Sequence, residues 1–175
     1  TCPEGPLEEG GDSEPNTLRV HAARGSVAAM AASFQLVART GHPSFLDLPW
    51  NEPLEDWDSP RFVNLIRGIS RHVVRFVEYD GALYALKELP ERPARREWTL
   101  LRRLEGQGLP VVEAVGIVTD RSEERDAILI TRHLEYSLPY RTLFAGAAIP
   151  DLRTHLLNAL AELLARLHIR GFFWG

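Results

Sequence analysis

The sequence predicts an α+β domain built on a mostly antiparallel sheet of five strands with one packing helix. Three observations carry this. Asp80-Gly81 stands between two apolar runs and reads as a two-residue hairpin turn. A helix-period pattern follows the second run at once, and two further apolar runs follow the helix. The regular strand–helix alternation of a doubly wound parallel sheet is absent.

The elements follow in chain order. Residues 1–17 are rich in Glu, Gly, Pro and Asp and nearly free of large apolar side chains. Such a segment buries too little surface to order itself, and 1–33 as a whole is expected to be disordered or weakly ordered. The one methionine is Met30, so the sequence before it says little about the fold. The stretch from Ala22 to Ala38 is compatible with a helix or with a short strand ending in Phe34-Gln35-Leu36-Val37. Residues 34–60 hold prolines at 43, 49, 53 and 60, together with Trp50 and Trp57. Proline at that density rules out a regular element. The segment is expected to wrap a core through Phe45, Trp50 and Trp57; an acidic strap for a partner is the alternative.

Strands are expected over 62–67, 72–79 and 83–89, the last two joined by Asp80-Gly81. Pro90 and Pro93 stop the third, and Pro93 suits the first turn of a helix running to about Glu105, closed by Gly106. Strands over 111–118 and 127–131 flank a charged loop at 120–126. A short helix is expected over 138–144. A long one follows over 151–170, with Leu152, Leu156, Leu160, Leu163, Leu164 and Leu167 on one side and Gly171 as its cap.

Bulk properties narrow the function. The chain has 175 residues, 45% hydrophobic and 25% charged, which suits a domain with a real core. The lone Cys2 allows no internal disulfide and fits a reducing, cytoplasmic compartment. No apolar run has the length of a membrane span, and the acidic start lacks the features of a secretory signal. Net charge is −4, but residues 1–60 carry 10 acidic and 3 basic side chains while 61–175 carry 14 and 17. The later part is the one suited to an anionic ligand. Its basic residues are scattered and not interleaved with aromatics, which argues against nucleic acid.

One residue stands out from the composition. Of the 20 basic residues 19 are arginine, and the single lysine is Lys87. Charge alone does not explain it, because Arg carries charge as well. Lysine offers a compact, mobile point charge where arginine offers a wide planar fork. Lys87 lies in Leu83-Tyr84-Ala85-Leu86-Lys87-Glu88-Leu89, where Leu83, Ala85, Lys87 and Leu89 share one strand face. On the following helix, Trp98, Leu100, Leu101 and Leu104 form an apolar arc with Glu97 near its middle, opposite Arg95, Arg96, Thr99, Arg102 and Arg103. A carboxylate inside a packing stripe is costly unless paired, and the nearest partner is a lysine on the sheet beneath. Two lone opposite charges on adjacent apolar faces therefore point to each other. A purely structural ion pair in an unrelated α+β domain is the plainer alternative. Ala85, two residues before the lysine on the same face, leaves room for a flat base, although Ala is also a common core residue.

These residues carry a resemblance. Tyr84-Ala85-Leu86-Lys87 resembles the Val-Ala-Ile-Lys strand of protein kinases, and Glu97 matches the helix glutamate that holds that lysine. Ile128-Leu129-Ile130-Thr131-Arg132-His133-Leu134 resembles the strand leading into the hinge between the two lobes. Leu167-His168-Ile169-Arg170-Gly171-Phe172-Phe173-Trp174-Gly175 looks like the approach to a catalytic loop. Over about residues 34–175 the chain is similar to a bacterial kinase-like family, the lipopolysaccharide kinases that phosphorylate inner-core sugars.

The resemblance implies a protein-kinase-like fold, with a nucleotide-binding lobe at 61–135 and the start of a second lobe at 136–175. It implies ATP as phosphate donor, Mg²⁺ as its ion, and a sugar or glycan hydroxyl as acceptor. Lys87 and Glu97 are then the candidate catalytic residues, Lys87 on the α/β-phosphates and Glu97 orienting it. Ala85 paves the adenine site, backbone near Arg132, His133 and Leu134 bonds the base, and Gly68 and Ser70 lie in the loop over the phosphates.

Two departures stand out. The loop Arg67-Gly68-Ile69-Ser70-Arg71-His72 has one glycine where the kinase loop has three, which restricts backbone approach to phosphate. Ser70, Arg71 and His72 offer side-chain donors instead, or the stretch is a simple turn. Trp174 takes the place of the usual catalytic-loop histidine. In the resembling families an aspartate follows the position of Gly175, and an asparagine and a second aspartate further on hold Mg²⁺. None of these is in this sequence, so the chain as it stands is expected not to transfer phosphate, and the Mg²⁺ ligands are expected beyond Gly175. The poor glycine loop also fits a pseudokinase, a nucleotide-binding or scaffolding module without catalysis.

Overall fold

The computed structural model describes residues 17–21, 34–65, 70–121, 126–134 and 150–173. Among these residues six strands and two helices follow in the order β1 (Thr17–His21), β2 (Gln35–Arg39), β3 (Val74–Tyr79), β4 (Ala82–Pro90), α1 (Glu91–Gly106), β5 (Ala114–Thr119), β6 (Asp126–Arg132) and α2 (Pro150–Ile169). The sheet runs β1-β2-β5-β6-β4-β3 and every neighbouring pair is antiparallel.

Three expectations are corrected. Among the described residues the sheet has six strands: one of the five expected, over 62–67, is missing from it, and two are added, β2, which the sequence left open as helix or short strand, and β1 in the segment expected to be weakly ordered, with Thr17 opposite Arg39 and His21 opposite Gln35. The rest of 1–33 lies outside the described residues, as do the helix expected at 138–144 and residues 66–69. Of the strand expected over 62–67, only 62–65 are described, and there the pairing is a single bridge, Phe62 to Val77. Phe62 also stacks on Trp57 with ring centroids 6.5 Å apart and lies under the Arg75 guanidinium, while the Val63 amide donates to Phe76 O at 3.0 Å. Finally, Gly106 is the last residue of α1 and not its left-handed cap. That role falls to Gly108, at φ +66°, whose N–H donates to the Glu105 carbonyl at 2.8 Å.

The hairpin forms as its sequence dictates. Asp80 and Gly81 have φ +50° and +76°, the pair of positive values that a two-residue turn of this twist demands. The turn fixes the register of β3 on β4: Tyr79 opposite Ala82, Phe76 opposite Ala85, Val74 opposite Lys87. Gly171 caps α2 at φ +77°. Its N–H donates to the His168 carbonyl and that of Phe172 to Leu167, both at 2.9 Å.

The sheet is covered on both faces. On one, Ala94, Trp98 and Leu101 of α1 pack on Leu89, Ile117, Ala127 and Leu129, with Val37 at the margin. On the other, residues 41–62 lie across Leu36, Tyr84, Leu86, Val118, Ile128 and Ile130 through buried Phe45, Leu48, Trp50, Leu54 and Trp57. Each buried indole donates to a nearby carbonyl, Trp50 Nε1 to Phe45 O at 2.8 Å and Trp57 Nε1 to Glu52 O at 2.9 Å. Burial of such side chains contributes roughly 1.5–3 kcal/mol each, so the proline-rich segment is held by its aromatics without regular structure.

A buried ion pair pins the same segment. Arg121 reaches Glu88 of β4 at 2.7 Å, donates to Trp50 O at 2.6 Å and also bonds Glu52 O. Glu88 in turn accepts from the Leu54 amide at 3.1 Å.

Candidate functional site

β4 brings Lys87 to the face covered by α1. Ala94 of α1 is fully buried, and its small side chain lets the helix sit close to the sheet. Glu97 lies one turn further along the helix, and the Lys87 ammonium meets both of its oxygens, at 2.7 Å and 3.0 Å. The pair is only partly shielded: the two side chains keep 30% and 36% of their exposure. An ion pair that open contributes about 0–1 kcal/mol to stability. Lysine's third N–H remains for another acceptor, since two go to Glu97.

The register of β4 with its neighbours identifies what surrounds the ammonium. Residues directly opposite in an antiparallel ladder share a face. Lys87 is flanked by Val74 on β3 and Leu129 on β6, and Ala85 by Phe76 and Thr131. Ala85 thus sits in a shallow, half-buried apolar floor two residues from the charge. The loop that precedes β3 runs beside this floor at the Lys87 end, since Val73 O accepts from the Glu88 amide at 3.0 Å. In that loop Ser70 is exposed, and its Oγ accepts from the His72 amide at 3.1 Å. Gly68 lies outside the described residues.

The stretch after β6 continues its pairing. The Arg132 amide donates to Glu113 O at 2.9 Å and the His133 amide to Leu83 O at 2.8 Å. The His133 ring meets Phe76 edge-on, with centroids 5.2 Å apart. Leu134 and the Arg132 side chain are exposed. Of the expected base-binding amides, two are therefore already engaged within the sheet. Lys87, Glu97, Ala85 and His133 lie on one face of the sheet.

Helix α1 has a second anchor that the sequence reading lacks. Arg39 of β2 holds Glu105 at 3.1 Å and Glu113 at 3.5 Å, and Arg102 holds Glu105 from within the helix at 3.0 Å. His42 Nε2 meets Glu113 at 3.1 Å. These contacts fix the C-terminal end of α1, while Glu97 fixes its middle. Val74, Phe76 and Thr131 are likewise additions to the site. Leu100 and Leu104 turn away from the sheet and, with Leu164, Leu167, His168, Phe172 and Phe173, line an apolar groove between α1 and α2. Among the described residues no group of three or more His, Cys, Asp or Glu side chains gathers as a metal site, and no helix is long and apolar enough to cross a membrane.

No curated protein matches the chain, and no solved structure does. A family model does match, over residues 77–174, which is more than half of the chain. The matched span begins in β3 and takes in the Lys87 strand, all of α1 with Glu97, and α2. The α+β architecture, an antiparallel sheet with α1 against one face, is compatible with the nucleotide-binding lobe of a kinase-like fold. With an ammonium and a helix carboxylate joined inside the matched span, the chain belongs to the lipopolysaccharide kinase (Kdo/WaaP) family.

Proposed function

We propose that this chain is the ATP-binding part of a phosphotransferase that moves the γ-phosphoryl group of ATP to a hydroxyl of a sugar or glycan. The observation that carries the reading is the Lys87–Glu97 contact at 2.7 Å and 3.0 Å, in a setting too open for it to matter much for stability. The donor set fits a nucleotide. Lys87 keeps one N–H for an α- or β-phosphate oxygen while Glu97 fixes its direction. Ala85, with Val74 and Phe76 beside it, offers a flat apolar floor for adenine. Because the Arg132 and His133 amides are engaged, the Leu134 N–H and the carbonyls of 132–134 are the groups that would meet the base edge. Bound Mg²⁺ would neutralise charge on the β- and γ-phosphates. This chain's own part is to hold the phosphates through Lys87 and to seat the base.

A second reading, nucleotide binding without transfer, is supported by the single glycine of the 67–72 loop. Titration calorimetry with ATP, on the wild type and on Lys87→Ala, tests the shared part of both. Loss of a charge-assisted phosphate contact is expected to weaken binding about 10- to 100-fold. Equal affinity in the two proteins would sink the nucleotide reading. A transfer assay with a sugar acceptor then separates kinase from pseudokinase.

A further inference from the structure

Helix α1 is held unequally at its two ends. β4 runs straight into it, with Pro90 closing the strand and Glu91 opening the helix, so its N-terminal end is tied covalently to the sheet. Its C-terminal end is followed by the irregular stretch 107–113 before β5 begins. Among the described residues the ion pair that ties this end to a strand is Arg39–Glu105, at 3.1 Å. Arg102 holds Glu105 from within the helix and so tethers it to nothing. The same Arg39 nitrogen, Nη1, also donates to Glu113 at 3.5 Å and to the Ala114 carbonyl at 3.3 Å, beside the register shift of β5 between Ala114 and Gly116. One guanidinium of β2 thus gathers the end of α1, the stretch after it and the start of β5.

Glu105 is badly placed without that guanidinium. A carboxylate in the last turn meets the negative end of the helix dipole. A second carboxylate, Glu113, lies against the same Arg39 nitrogen. Removal of Arg39 leaves two like charges facing each other, which drives the end of α1 away from its neighbour. The apolar contacts of Ala94, Trp98 and Leu101 are non-directional, so they hold the helix on the sheet without fixing its angle. With the pivot at Glu91, Glu97 lies about 9 Å along the helix and Glu105 about 21 Å. A shift of about 3 Å at Glu105 then moves Glu97 by about 1.3 Å. That opens its 2.7 Å contact with Lys87.

We infer that Arg39 is a positioning residue of the Lys87 site: it holds down the C-terminal end of α1 and so keeps Glu97 on Lys87. It acts through the helix, since its bonds run to Glu105, Glu113 and Ala114 and not to the pair itself. Arg39 stands on β2, before the span 77–174 that the family model matches. A strand from outside that span is then a working part of the site. The consequence for ATP rests on the nucleotide reading; the effect on the Lys87–Glu97 contact does not.

The test uses Lys87 as its own probe. It is the one lysine of the chain, so protein grown on lysine labelled with ¹³C at Cε gives a single lysine resonance. The full chain is compared without ligand as wild type, Glu97→Ala, Arg39→Gln and Glu105→Ala. Arg61→Gln, which breaks an ion pair with Asp47 on the other side of the domain, is the control. Glu97→Ala is expected to move the resonance, Arg39→Gln and Glu105→Ala to move it toward the Glu97→Ala position, and Arg61→Gln to leave it in place. Calorimetry with ATP is then expected to show a loss of about three- to tenfold in Arg39→Gln. The double variant Arg39→Gln/Glu97→Ala is expected to bind within about twofold of Glu97→Ala alone, because Arg39 acts only through Glu97. An unmoved resonance in either Arg39→Gln or Glu105→Ala overturns the inference, so one of the two suffices if the other fails to fold. An equal movement in Arg61→Gln overturns it as well, since the effect would be a general loosening. So does a double variant that loses the full Arg39 factor again. Failure of the wild type to bind ATP would sink the nucleotide reading, while the resonance still decides whether Arg39 positions the pair.

Discussion

Lys87 and Glu88 are neighbours on β4, and their charges leave opposite faces of the sheet into two different ion pairs. Lys87 meets Glu97 of the packing helix, half open to solvent, while Glu88 meets Arg121 where the two side chains keep only 13% and 4% of their exposure. The magnitudes separate their roles. Breaking a buried pair by removing one partner costs about 3–5 kcal/mol, because the other charge is stranded. Breaking an open one costs about 0–1 kcal/mol. Glu88→Ala is therefore expected to lower the thermal midpoint by many degrees and to loosen residues 50–54, whereas Glu97→Ala leaves it nearly unchanged and weakens ATP binding. Thermal melts and calorimetry on both variants check this; equal destabilisation would mean that the Lys87 pair is structural.

A second prediction concerns pH. Tyr79 donates to Asp47 at 2.6 Å, and Arg61 bonds the other carboxylate oxygen at 2.5 Å while covering the Tyr79 ring. Burial, then the bond to the Asp47 carboxylate, pushes the Tyr79 phenol well above its ordinary value. Burial alone would raise Asp47, but the bonds from Tyr79 and Arg61 outweigh it and hold that carboxyl below its ordinary range. The Tyr79 contribution is thus fully present below about pH 10 and is lost as pH rises toward the folded value. The Asp47 contribution is present above about pH 4 and is lost as pH falls through its depressed value. Tyr79→Phe is expected to cost about 1 kcal/mol at neutral pH and to flatten the alkaline limb of a stability–pH curve. An unchanged alkaline limb would show that Tyr79 does not govern it; Tyr84, raised chiefly by burial, would be the next candidate.

Much of this was legible in the residues, and the rest was hidden for physical reasons. The hairpin, α1, the two strands after it and α2 follow from period and turn chemistry, which are local. Lys87 and Glu97 could be paired because each was a charge alone in an apolar pattern. Val74 and Phe76 were legible in principle, since a two-residue turn at Asp80-Gly81 fixes which residues face Ala85 and Lys87. Arg121 and Arg39 were not. One sits in a charged loop and the other in a short strand, and their partners Glu88 and Glu105 are 33 and 66 residues away. No periodicity links them. Over 62–65 the pairing is one bridge at Phe62, whose ring also stacks on Trp57, a long-range contact that no local period announces; β1 was missed because composition outweighed the short run Thr17–His21.

Gly116 gives a third prediction. The register of β5 on β6 shifts between Ala114 and Gly116, and there the strands approach closely. A Cβ at Gly116 would lie 3.0 Å from Val37 O and 3.2 Å from Ile130 Cδ1. The Ile130 side chain can yield, but the Val37 carbonyl belongs to the backbone of β2. Gly116→Val is expected to cost about 1–3 kcal/mol by overpacking, and Gly116→Ala less. Chemical denaturation measures both; a neutral valine would mean that β2 and β5 separate without loss.

The last prediction divides the candidate nucleotide site into its two halves. Ala85 lies between Phe76 and Thr131 on the Lys87 face, half-buried and two residues from the ammonium. If adenine rests there, added bulk at Ala85 blocks the base and leaves the phosphate grip intact. Ala85→Leu keeps an apolar side chain on a partly exposed strand face, so its effect on folding is expected to stay below about 1.5 kcal/mol. ATP affinity is expected to fall at least about tenfold, the loss that about 1.4 kcal/mol of contact produces. Inorganic tripolyphosphate, which has no base, is expected to bind wild type and Ala85→Leu alike, and to lose affinity only in Lys87→Ala. Calorimetry with the two ligands on the three proteins reads all six affinities. If Ala85→Leu weakens tripolyphosphate as much as ATP, the strand has been displaced and the floor assignment loses its support. If it weakens neither, the base sits elsewhere, and Lys87 grips phosphate without Ala85 beneath the ring.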